Sequence, residues 1–353
     1  MALYSQNFYR LLYDWYDSNH RILPWRETTD PYYIWLSEVI LQQTRVVQGM
    51  EYYHRFITTF PTIEQLAAAD EDEVLRLWQG LGYYSRARNL HKAARLIANG
   101  QWLTANGQPT GFPATFNELR SLPGVGDYTA GAIASFAYNL PYPALDGNVY
   151  RVLSRLFDCD IPFDTTAGKK YFHQLAEELL DRDHPRRFNT AIMEFGALHC
   201  LPTSPDCTNC PVQVFCKAYA AGTAELLPVR KPRPTLRDRY FSYTIYITPE
   251  RKTLIHQRTA KDIWQHLYEF PLAEHTTEEE WLNYQPIANG QKPTAKPIVL
   301  THILSHQRLH ARFYLVPVNA FPAIPDTLAI PWDELDNYAL SRLTLKALET
   351  VSQ

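Results

Sequence analysis

The sequence lacks any apolar run of the roughly 18 residues that a membrane-spanning helix needs. Its first residues, MALYS, also lack the basic and apolar blocks of a secretory signal. These absences predict a soluble, cytoplasmic protein with no membrane partner. Cysteine is scarce and odd in number, with five in 353 residues, and four of them crowd into 17 positions. A disulfide framework spreads its cysteines more evenly, so the crowding favours a bound metal or cluster.

Length and composition indicate a folded protein of more than one domain. At about 150 residues per domain, 353 residues predict two or three domains, and 46% apolar residues suffice for substantial cores. Lys and Arg number 34 against 37 Asp and Glu, a net charge of −3. The net charge alone argues mildly against a nucleic-acid partner, but the distribution of charge along the chain matters more.

Apolar residues recur at helical spacing through the first 220 or so residues, which predicts an all-α domain. The periodic segments are 37–48, 73–78, 88–97, 128–136, 149–156 and 172–180. In the first of these, Glu38, Gln42 and Arg45 lie opposite the apolar side. Glu38 can therefore be a solvated glutamate that pairs with Arg45 on the helix surface.

A proline-rich segment at 227–234, LPVRKPRP, predicts an extended tether, because proline cannot occupy a helix interior. We predict a helical domain at 1–226, a linker at 227–236 and a second domain at 237–353. In the second domain, alternating residues at 241–247, a turn at 249–252 and apolar residues at 254–255 predict a hairpin. A further strand at 310–316 and partial helix at 332–350 make this domain mixed α+β.

The crowded cysteines have the spacing C-x6-C-x2-C-x5-C. They are Cys200, Cys207, Cys210 and Cys216. Four thiolates at this density can hold a [4Fe-4S] cluster or a structural zinc ion, and the spacing does not decide between them. Four unconnected buried thiols are the alternative. Cys159 stands apart and is predicted to be a small core residue.

The glycine-containing string LPGVG at 122–126 lies between two helical patterns. Backbone N–H groups at Gly124 and Gly126 could hold a phosphate at the start of the second helix, although a helix connection needs no ligand. Residues 74–117 contain no Asp or Glu and include Tyr83 and Tyr84, which predicts a surface for a nucleic-acid backbone. The alternative is a solvated basic helix face. The basic residues are Arg76, Arg86, Arg88, Lys92 and Arg95.

Asp146 precedes Gly-Asn-Val and is placed to cap a helix that starts near Asn148. Capping is a common role for aspartate and needs no further function. Glu38 and Asp146 become a candidate pair only if the fold brings them together.

These strings resemble a known family. LPGVG at 122–126, Asp146 twenty positions later and the cysteine spacing are similar to the helix-hairpin-helix base-excision DNA glycosylases of the iron–sulfur branch. Longer strings at 23–26, 35–44, 80–88 and 145–149 resemble the MutY family of adenine DNA glycosylases. The resemblance implies an all-α helix-hairpin-helix glycosylase domain with an iron–sulfur loop, followed by a smaller α+β MutT-like domain. It also implies a [4Fe-4S] cluster on the four cysteines.

The implied activity is removal of adenine mispaired with 8-oxoguanine or guanine in double-stranded DNA, by a monomer acting in base excision repair. Glu38 matches the general acid, and Asp146 matches the carboxylate that stabilises the positively charged sugar or attacks it transiently. Tyr128 and Asn148 match residues that assist the two carboxylates. The residues that match DNA contacts are Arg26 in the adenine pocket, Gln43 and Tyr83 as wedges, Gly124 and Gly126 at a phosphate, and Ser305 and His306 at 8-oxoguanine.

Differences from the sequences of related enzymes exclude some of the reactions that those enzymes catalyse. Endonuclease III carries a nucleophilic lysine two positions after the second hairpin glycine, where this chain has Tyr128, so strand cleavage through a Schiff base is not expected. The acids at 278–280 lack the MutT spacing for Mg²⁺, so nucleotide hydrolysis is not expected either. Thr190 stands where relatives often carry Gln or Glu, and Leu304 where Phe is frequent.

Two other functions stay open on the sequence. One is an endonuclease III-like lyase for oxidised pyrimidines, which Tyr128 and the second domain disfavour. The other is a non-catalytic helix-hairpin-helix binding module, which the presence of both Glu38 and Asp146 disfavours.

Overall fold

The computed structural model describes residues 6–100, 111–232 and 235–351. The helices in these ranges are α1 (Gln6–Asn19), α2 (Pro31–Ile40), α3 (Val46–Thr59), α4 (Ile63–Ala68), α5 (Glu71–Leu77), α6 (Ser85–Ala98), α7 (Phe116–Ser121), α8 (Asp127–Tyr138), α9 (Gly147–Phe157), α10 (Thr166–Leu179), α11 (Pro185–Leu198), α12 (Lys217–Ala221), α13 (Glu278–Asn283) and α14 (Arg342–Val351). The strands are β1 (Arg237–Ile247), β2 (Lys252–Gln257), β3 (Tyr268–Glu269), β4 (Leu272–His275), β5 (Ile298–Ile303), β6 (Gln307–Pro317) and β7 (Thr327–Pro331).

The chain divides into two compact units. The first contains the described residues up to Ala67 and those of Lys92–Pro232, and the second contains Ala68–His91 and the described residues beyond Pro232. A helical first part and an α+β second part are therefore confirmed. The short segment Ala68–His91 packs with the second unit although it precedes most of the first in sequence. No described helix is long and apolar enough to cross a bilayer.

Helices of the first unit begin where the local chemistry favours it. Asp30 caps α2 by accepting the N–H of Tyr32 at 2.8 Å, with Pro31 at the first helical position. Thr115 and Glu118 form a capping box at α7. The core consists of aromatic side chains that are almost fully buried, among them Phe8, Trp25, Trp35, Phe56, Phe136, Phe172 and Phe195. Their burial holds the helices that carry the candidate site.

The predicted helix over 37–48 is wrong in extent. The structure ends α2 at Ile40 and begins α3 at Val46, with a turn between them. Gln43 in this turn adopts a left-handed conformation (φ 59°), which interrupts the helical hydrogen bonding. The apolar pattern continues across the turn because both helices present apolar residues to the core, so periodicity alone could not reveal the break. Residue 43 therefore lies on an exposed turn.

The second unit contains two sheets, ordered β4-β1-β6-β5 and β3-β2-β7. The predicted hairpin of 241–247 with 254–255 is wrong, because β1 lies between β4 and β6 in one sheet, whereas β2 lies between β3 and β7 in the other. The predicted strand over 310–316 lies within β6. Phe241, Tyr243 and Ile245 enter one apolar core, whereas Tyr246 enters another. Both faces of β1 are therefore covered.

The start of the predicted linker is ordered along the first unit. Val229 accepts the backbone N–H of Phe163 at 3.4 Å, and the Lys231 N–H donates to the Asp164 carboxylate at 3.0 Å. Residues 233 and 234 lie outside the described residues. The predicted boundaries at 226 and 236 stay a prediction.

Candidate active site and candidate metal centre

A cavity of about 640 Å³ opens in the first unit where α2, α8, α9 and α11 converge. Its lining includes eight of the predicted site residues, which are widely separated in sequence. These are Arg26, Glu38, Gln43, Gly124, Gly126, Tyr128, Asp146 and Asn148. The fold therefore brings Glu38 and Asp146 to one cavity, although 108 positions separate them in the sequence.

Glu38 is a buried carboxyl group with two partners. Its side chain is 3% exposed, Tyr128 donates its hydroxyl to Oε2 at 2.6 Å, and Arg26 approaches Oε1 at 3.4 Å. The interpretation of Glu38 as a solvated residue paired with Arg45 is wrong, because Arg45 lies at the start of α3, beyond the turn. A carboxyl group held this way is kept in one orientation toward the cavity.

Tyr128 connects the two carboxyl groups electrostatically. Burial and then the carboxyl groups of Glu38 and Asp146 raise the pKa of Tyr128 well above its usual value, whereas Arg26 lowers it. The phenol is therefore neutral at physiological pH and acts as a hydrogen-bond donor to Glu38. A neutral phenol at this position also provides no amine nucleophile.

Asp146 caps α9 and faces the cavity. Its Oδ1 accepts the N–H of Val149 at 2.7 Å, and its Oδ2 accepts the amide of Asn148 at 2.7 Å. Burial raises the pKa of Asp146, the bonds from Val149 and Asn148 lower it, and the nearby Glu38 raises it further. The net direction is upward. The carboxyl group of Asp146 thus caps α9 and at the same time lines the cavity.

Asn148 is held from behind by α9 and α11. Arg151 donates to its Oδ1 at 3.0 Å and to the Gly196 carbonyl at 2.5 Å. Gly196 permits this close approach, because a Cβ at that position would lie 2.7 Å from the Cβ of Asn148. The amide group of Asn148 is consequently fixed toward Asp146.

Arg26 occupies the floor of the cavity. Its guanidinium lies 4.0 Å from the ring centroid of Phe136 and contacts the sulfur of Met193 at 4.0 Å, in addition to Glu38. Thr190 is buried and donates its hydroxyl to the Arg186 carbonyl at 2.8 Å. The side chain of Thr190 is therefore engaged with its own helix.

The glycine string forms a turn between α7 and α8, as predicted. Gly124 has φ +78°, a conformation that glycine adopts without strain, and Gly126 is the N-cap of α8. Arg120 fastens the turn by donating to the Val125 carbonyl at 3.1 Å and to Asp127 at 2.5 Å. The first N–H groups of α8 have no acceptor within the helix, and Gly124 and Gly126 before them line the cavity, a favourable location for an anion.

An ion pair in the cavity wall was not anticipated. Arg21 binds the buried carboxylate of Glu194 through two nitrogens, at 2.9 and 2.6 Å. Glu194 lies among apolar residues of α11, and a single acid in an apolar helix was the one local signal that could have drawn attention to it. This ion pair connects the segment before Arg26 to α11, the helix that contains Met193.

The other predicted site residues line a second cavity, of about 390 Å³, within the second unit. Tyr83 lies on one wall and is 48% exposed, whereas Ser305 and His306 lie on the other, beside Leu304. The hydroxyl of Ser305 is 3.1 Å from Nδ1 of His306. Asp262, also in the wall, is held by ion pairs with Arg239 at 2.8 Å and Arg258 at 3.0 Å.

The prediction of a basic DNA surface over 74–117 fails at Arg86. Arg86 is buried and donates to the carbonyls of Leu81 and Gly82, and its burial lowers its pKa to about 10. Arg88 donates to the Gln265 carbonyl at 2.7 Å, and Arg95 to that of Ala67 at 3.3 Å. These guanidinium groups satisfy backbone carbonyls. Residues 101–110 of the stretch lie outside the described residues.

The four clustered cysteines share the lining of one small cavity between α9 and α11. Arg155, 1% exposed, donates to the sulfur of Cys200 at 3.2 Å, and Cys216 lies 3.4 Å from the Arg155 carbonyl oxygen. Such N–H···S contacts stabilise thiolate ligands. In the ranges that the structure describes, no group of three or more His, Cys, Asp or Glu side chains is arranged to hold a metal ion.

Both parts of the chain are similar to known proteins. Residues 36–182 match the HhH-GPD superfamily of base excision DNA repair proteins, and residues 242–350 match a NUDIX domain. An adenine DNA glycosylase of Buchnera aphidicola subsp. Baizongia pistaciae (strain Bp) is 32% identical, over 88% of this chain and 85% of its own. The adenine DNA glycosylase of Mus musculus is 40% identical, over 64% of this chain and 44% of its own. The solved structure of a thermostable thymine-DNA glycosylase is 27% identical and superposes with a TM-score of 0.54, over 61% of this chain and 95% of that chain.

Proposed function

The chain belongs to the adenine DNA glycosylases, and from this premise we propose that it excises adenine paired with 8-oxoguanine or guanine in duplex DNA. As a member of this family it is a hydrolase of N-glycosyl bonds in base excision repair. The observation that carries the proposal is the single cavity that contains Glu38, Tyr128, Asp146 and Asn148. We further propose that the enzyme acts as a cytoplasmic, DNA-associated monomer.

Adenine within a duplex is out of reach, so the nucleotide must rotate out of the helix into the cavity. The cavity of about 640 Å³ is large enough for a flipped nucleotide. Arg26 contacts the base in the cavity, and Gln43 on its exposed turn fills space left in the duplex. The N–H groups at Gly124, Gly126 and the start of α8 bind a backbone phosphate.

Glu38 is the proton donor for the departing base. The bond from the sugar to adenine breaks, its electron pair leaves with the base, and Glu38 protonates ring nitrogen N7. Tyr128 and Arg26 keep the carboxyl group oriented during this transfer. Asp146, held by Asn148, stabilises the positive charge that develops on the sugar. Water then adds to the sugar, and its proton returns to Glu38.

The proposal of a monofunctional enzyme is supported by the composition of the cavity, whose described lining includes no lysine. Strand cleavage through a Schiff base requires an amine at the sugar. The neutral phenol of Tyr128 occupies the place where such an amine is expected.

The second cavity supports the 8-oxoguanine preference. Tyr83 is exposed and aromatic, which suits stacking or wedging beside a base, and Ser305 and His306 offer hydrogen-bonding groups on the facing wall. We propose that these three residues contact the 8-oxoguanine opposite the excised adenine. Leu304 contributes apolar contact in place of an aromatic ring.

We expect excision of adenine from A·8-oxoguanine and A·G duplexes, no excision from A·T, and strand breaks only after alkali. Single-turnover incubation with these duplexes and one containing thymine glycol, each with and without alkali, tests this. Nicking of the thymine glycol strand without alkali would instead identify an endonuclease III-like lyase. Binding of every duplex with no excision would identify a binding module.

The cofactor proposed for the cysteine cavity is a [4Fe-4S] cluster bound by Cys200, Cys207, Cys210 and Cys216. The proposal is supported by the shared lining of one small cavity by the four cysteines, and by the Arg155 guanidinium, which donates to the sulfur of Cys200 at 3.2 Å. The cluster, when bound, supplies a structural crosslink between the segment after α11 and the start of α12, and no step of adenine release passes through it.

We expect about four iron atoms per chain in the purified protein, by elemental analysis and visible absorption. Cys210→Ser should lower the iron content and the thermal stability, because the cluster loses a ligand. The matched control is Cys159→Ala, since Cys159 is a buried cysteine outside the cavity. Stoichiometric zinc, or unchanged iron in Cys210→Ser, would contradict the proposed cofactor.

A further inference from the structure

The second cavity is lined by two chain segments that are far apart in sequence. One wall comes from residues 80–88, before the glycine string, and the other from residues 262–264, 302–306 and 342. Residues 80–88 lie inside the range that matches the glycosylase family model. They nevertheless pack as part of the compact unit formed by the NUDIX-like residues.

Both walls contain backbone in the left-handed region. Tyr83 has φ 47° and follows Gly82 at φ 75°, and on the facing segment Trp264 has φ 57° and His266 has φ 68°. Non-glycine residues in this region carry strain and persist only where surrounding contacts enforce them. The cavity walls must therefore be held by neighbouring contacts.

One set of such contacts joins α5 to the segment 257–268. The Asp72 carboxylate accepts the hydroxyl of Tyr268 at 3.1 Å and the amide of Gln257 at 3.4 Å. Glu71 pairs with the imidazole of His266, the residue that carries one of the left-handed conformations. These bonds fasten the helical wall to the strand wall.

A second set of hydrogen bonds holds both ends of the turn that contains Tyr83. The hydroxyl of Tyr84 donates to the Leu340 carbonyl at 3.2 Å and accepts the Gly80 N–H at 3.3 Å. Gln79, on the other side of the turn, accepts the Leu340 N–H at 3.0 Å. Tyr84 is 4% exposed, whereas its neighbour Tyr83 is 48% exposed. Both ends of the turn are thus attached to one residue of the NUDIX-like part.

We propose that Tyr84 and Asp72 are positioning residues that set the exposed ring of Tyr83 against the loop of Ser305 and His306, and thereby set the preference for 8-oxoguanine over guanine opposite adenine. The inference rests on the proposed function. 8-Oxoguanine differs from guanine by one oxygen and one N–H, so discrimination requires groups held within about 0.5 Å of their best geometry. Neither Tyr84 nor Asp72 needs to touch the base.

The test compares single-turnover excision rates on A·8-oxoguanine and A·G duplexes for the native protein, Tyr84→Phe, Asp72→Asn and the double variant. Tyr84→Phe keeps the buried ring and removes only the hydroxyl. Each hydrogen bond lost should lower the ratio of the two rates by about 2- to 10-fold, and the double variant should lower it further. The rate on A·G should stay within about twofold, because the adenine cavity lies in the first unit.

Tyr33→Phe is the matched control, since the Tyr33 hydroxyl also donates to a backbone carbonyl, that of Pro61 at 3.2 Å, but in the first unit. It should leave the ratio unchanged. Asp72→Glu, which keeps the carboxylate, should retain more of the preference than Asp72→Asn. A thermal unfolding scan of each variant identifies any that are misfolded.

The outcomes separate the inference from the proposed function. If the native protein excises no adenine, or excises it equally fast from the two duplexes, the result contradicts the proposed function itself. A native preference that Tyr84→Phe and Asp72→Asn both retain in full overturns the positioning role alone. Equal losses on both duplexes overturn it as well, because they indicate a general structural defect.

Discussion

Glu38→Gln is expected to reduce adenine excision by about 100- to 10,000-fold, the range typical for loss of a general acid. The amide has nearly the shape of the carboxyl group but has no acidic proton to transfer. Its oxygen can still face Arg26, and its NH₂ can donate to the phenol oxygen of Tyr128, in place of the bond that Glu38 accepts at 2.6 Å. The cavity should therefore keep its form while the chemical step is lost.

Single-turnover excision and duplex affinity, measured on the same preparation, distinguish chemistry from binding. The affinity for an A·8-oxoguanine duplex should change by no more than a few-fold, because the residues proposed to contact the phosphate remain. Glu64→Gln provides a control, since Glu64 is an exposed residue in the first turn of α4. Excision by Glu38→Gln within tenfold of the native rate would show that another group protonates the base.

The positions of α5, α6, α8, α9 and the second half of α10 could be predicted, because an amphipathic helix repeats apolar residues at helical spacing along its buried face. The turn at Gln43 could not, since one left-handed residue interrupts a helix without disturbing the apolar pattern on either side. The pairing of β1 could not either. Its long partner, β6, begins sixty residues after β1 ends. The alternation of apolar and polar residues in a strand does not indicate which other strand it pairs with.

The same distinction between local and distant information applies to the candidate site. Local pattern identifies Asp146 as a helix cap, which the hydrogen bond from Val149 confirms. That Glu38 lies near Asp146 depends on the packing of α2, α8 and α9, and only the family resemblance anticipated it. The prediction that Arg86 contributes to a DNA-binding surface is wrong. A run of basic residues does not reveal which guanidinium groups are buried against carbonyls. Basic side chains can form a binding surface for DNA only where the fold leaves them exposed to solvent.

The two roles of Asp146 can be separated by Asp146→Asn. Asparagine is about as good an N-cap as aspartate, because its side-chain oxygen can accept the Val149 N–H that Asp146 accepts at 2.7 Å. Its NH₂ group, however, faces the donating amide of Asn148, so one hydrogen bond is lost at a cost of about 1 kcal/mol. The free energy of unfolding should therefore fall only slightly.

The excision rate of Asp146→Asn should fall by about 100- to 1,000-fold, because the neutral amide cannot stabilise the positive charge that develops on the sugar. Burial raises the pKa of the native carboxyl group, so native activity is lost at a higher pH than for an exposed aspartate as the carboxylate is protonated. This acid limb of the pH–rate profile should be absent from the variant. Single-turnover rates across pH and a denaturant melt of the same protein measure the two effects.

Asp127→Asn is the matched control for Asp146→Asn, because Asp127 is the first residue of α8, exposed and outside the lining of the cavity. It removes a carboxylate from a helix N-terminus, and with it the ion pair to Arg120, but it changes no residue that lines the cavity. A large rate loss in Asp146→Asn with a native-like rate in Asp127→Asn assigns the effect to charge at the sugar. Small and equal losses of excision rate in both variants would mean that Asp146 serves only as a helix cap. In that case the loss of either carboxylate would act only through the stability of a helix N-terminus.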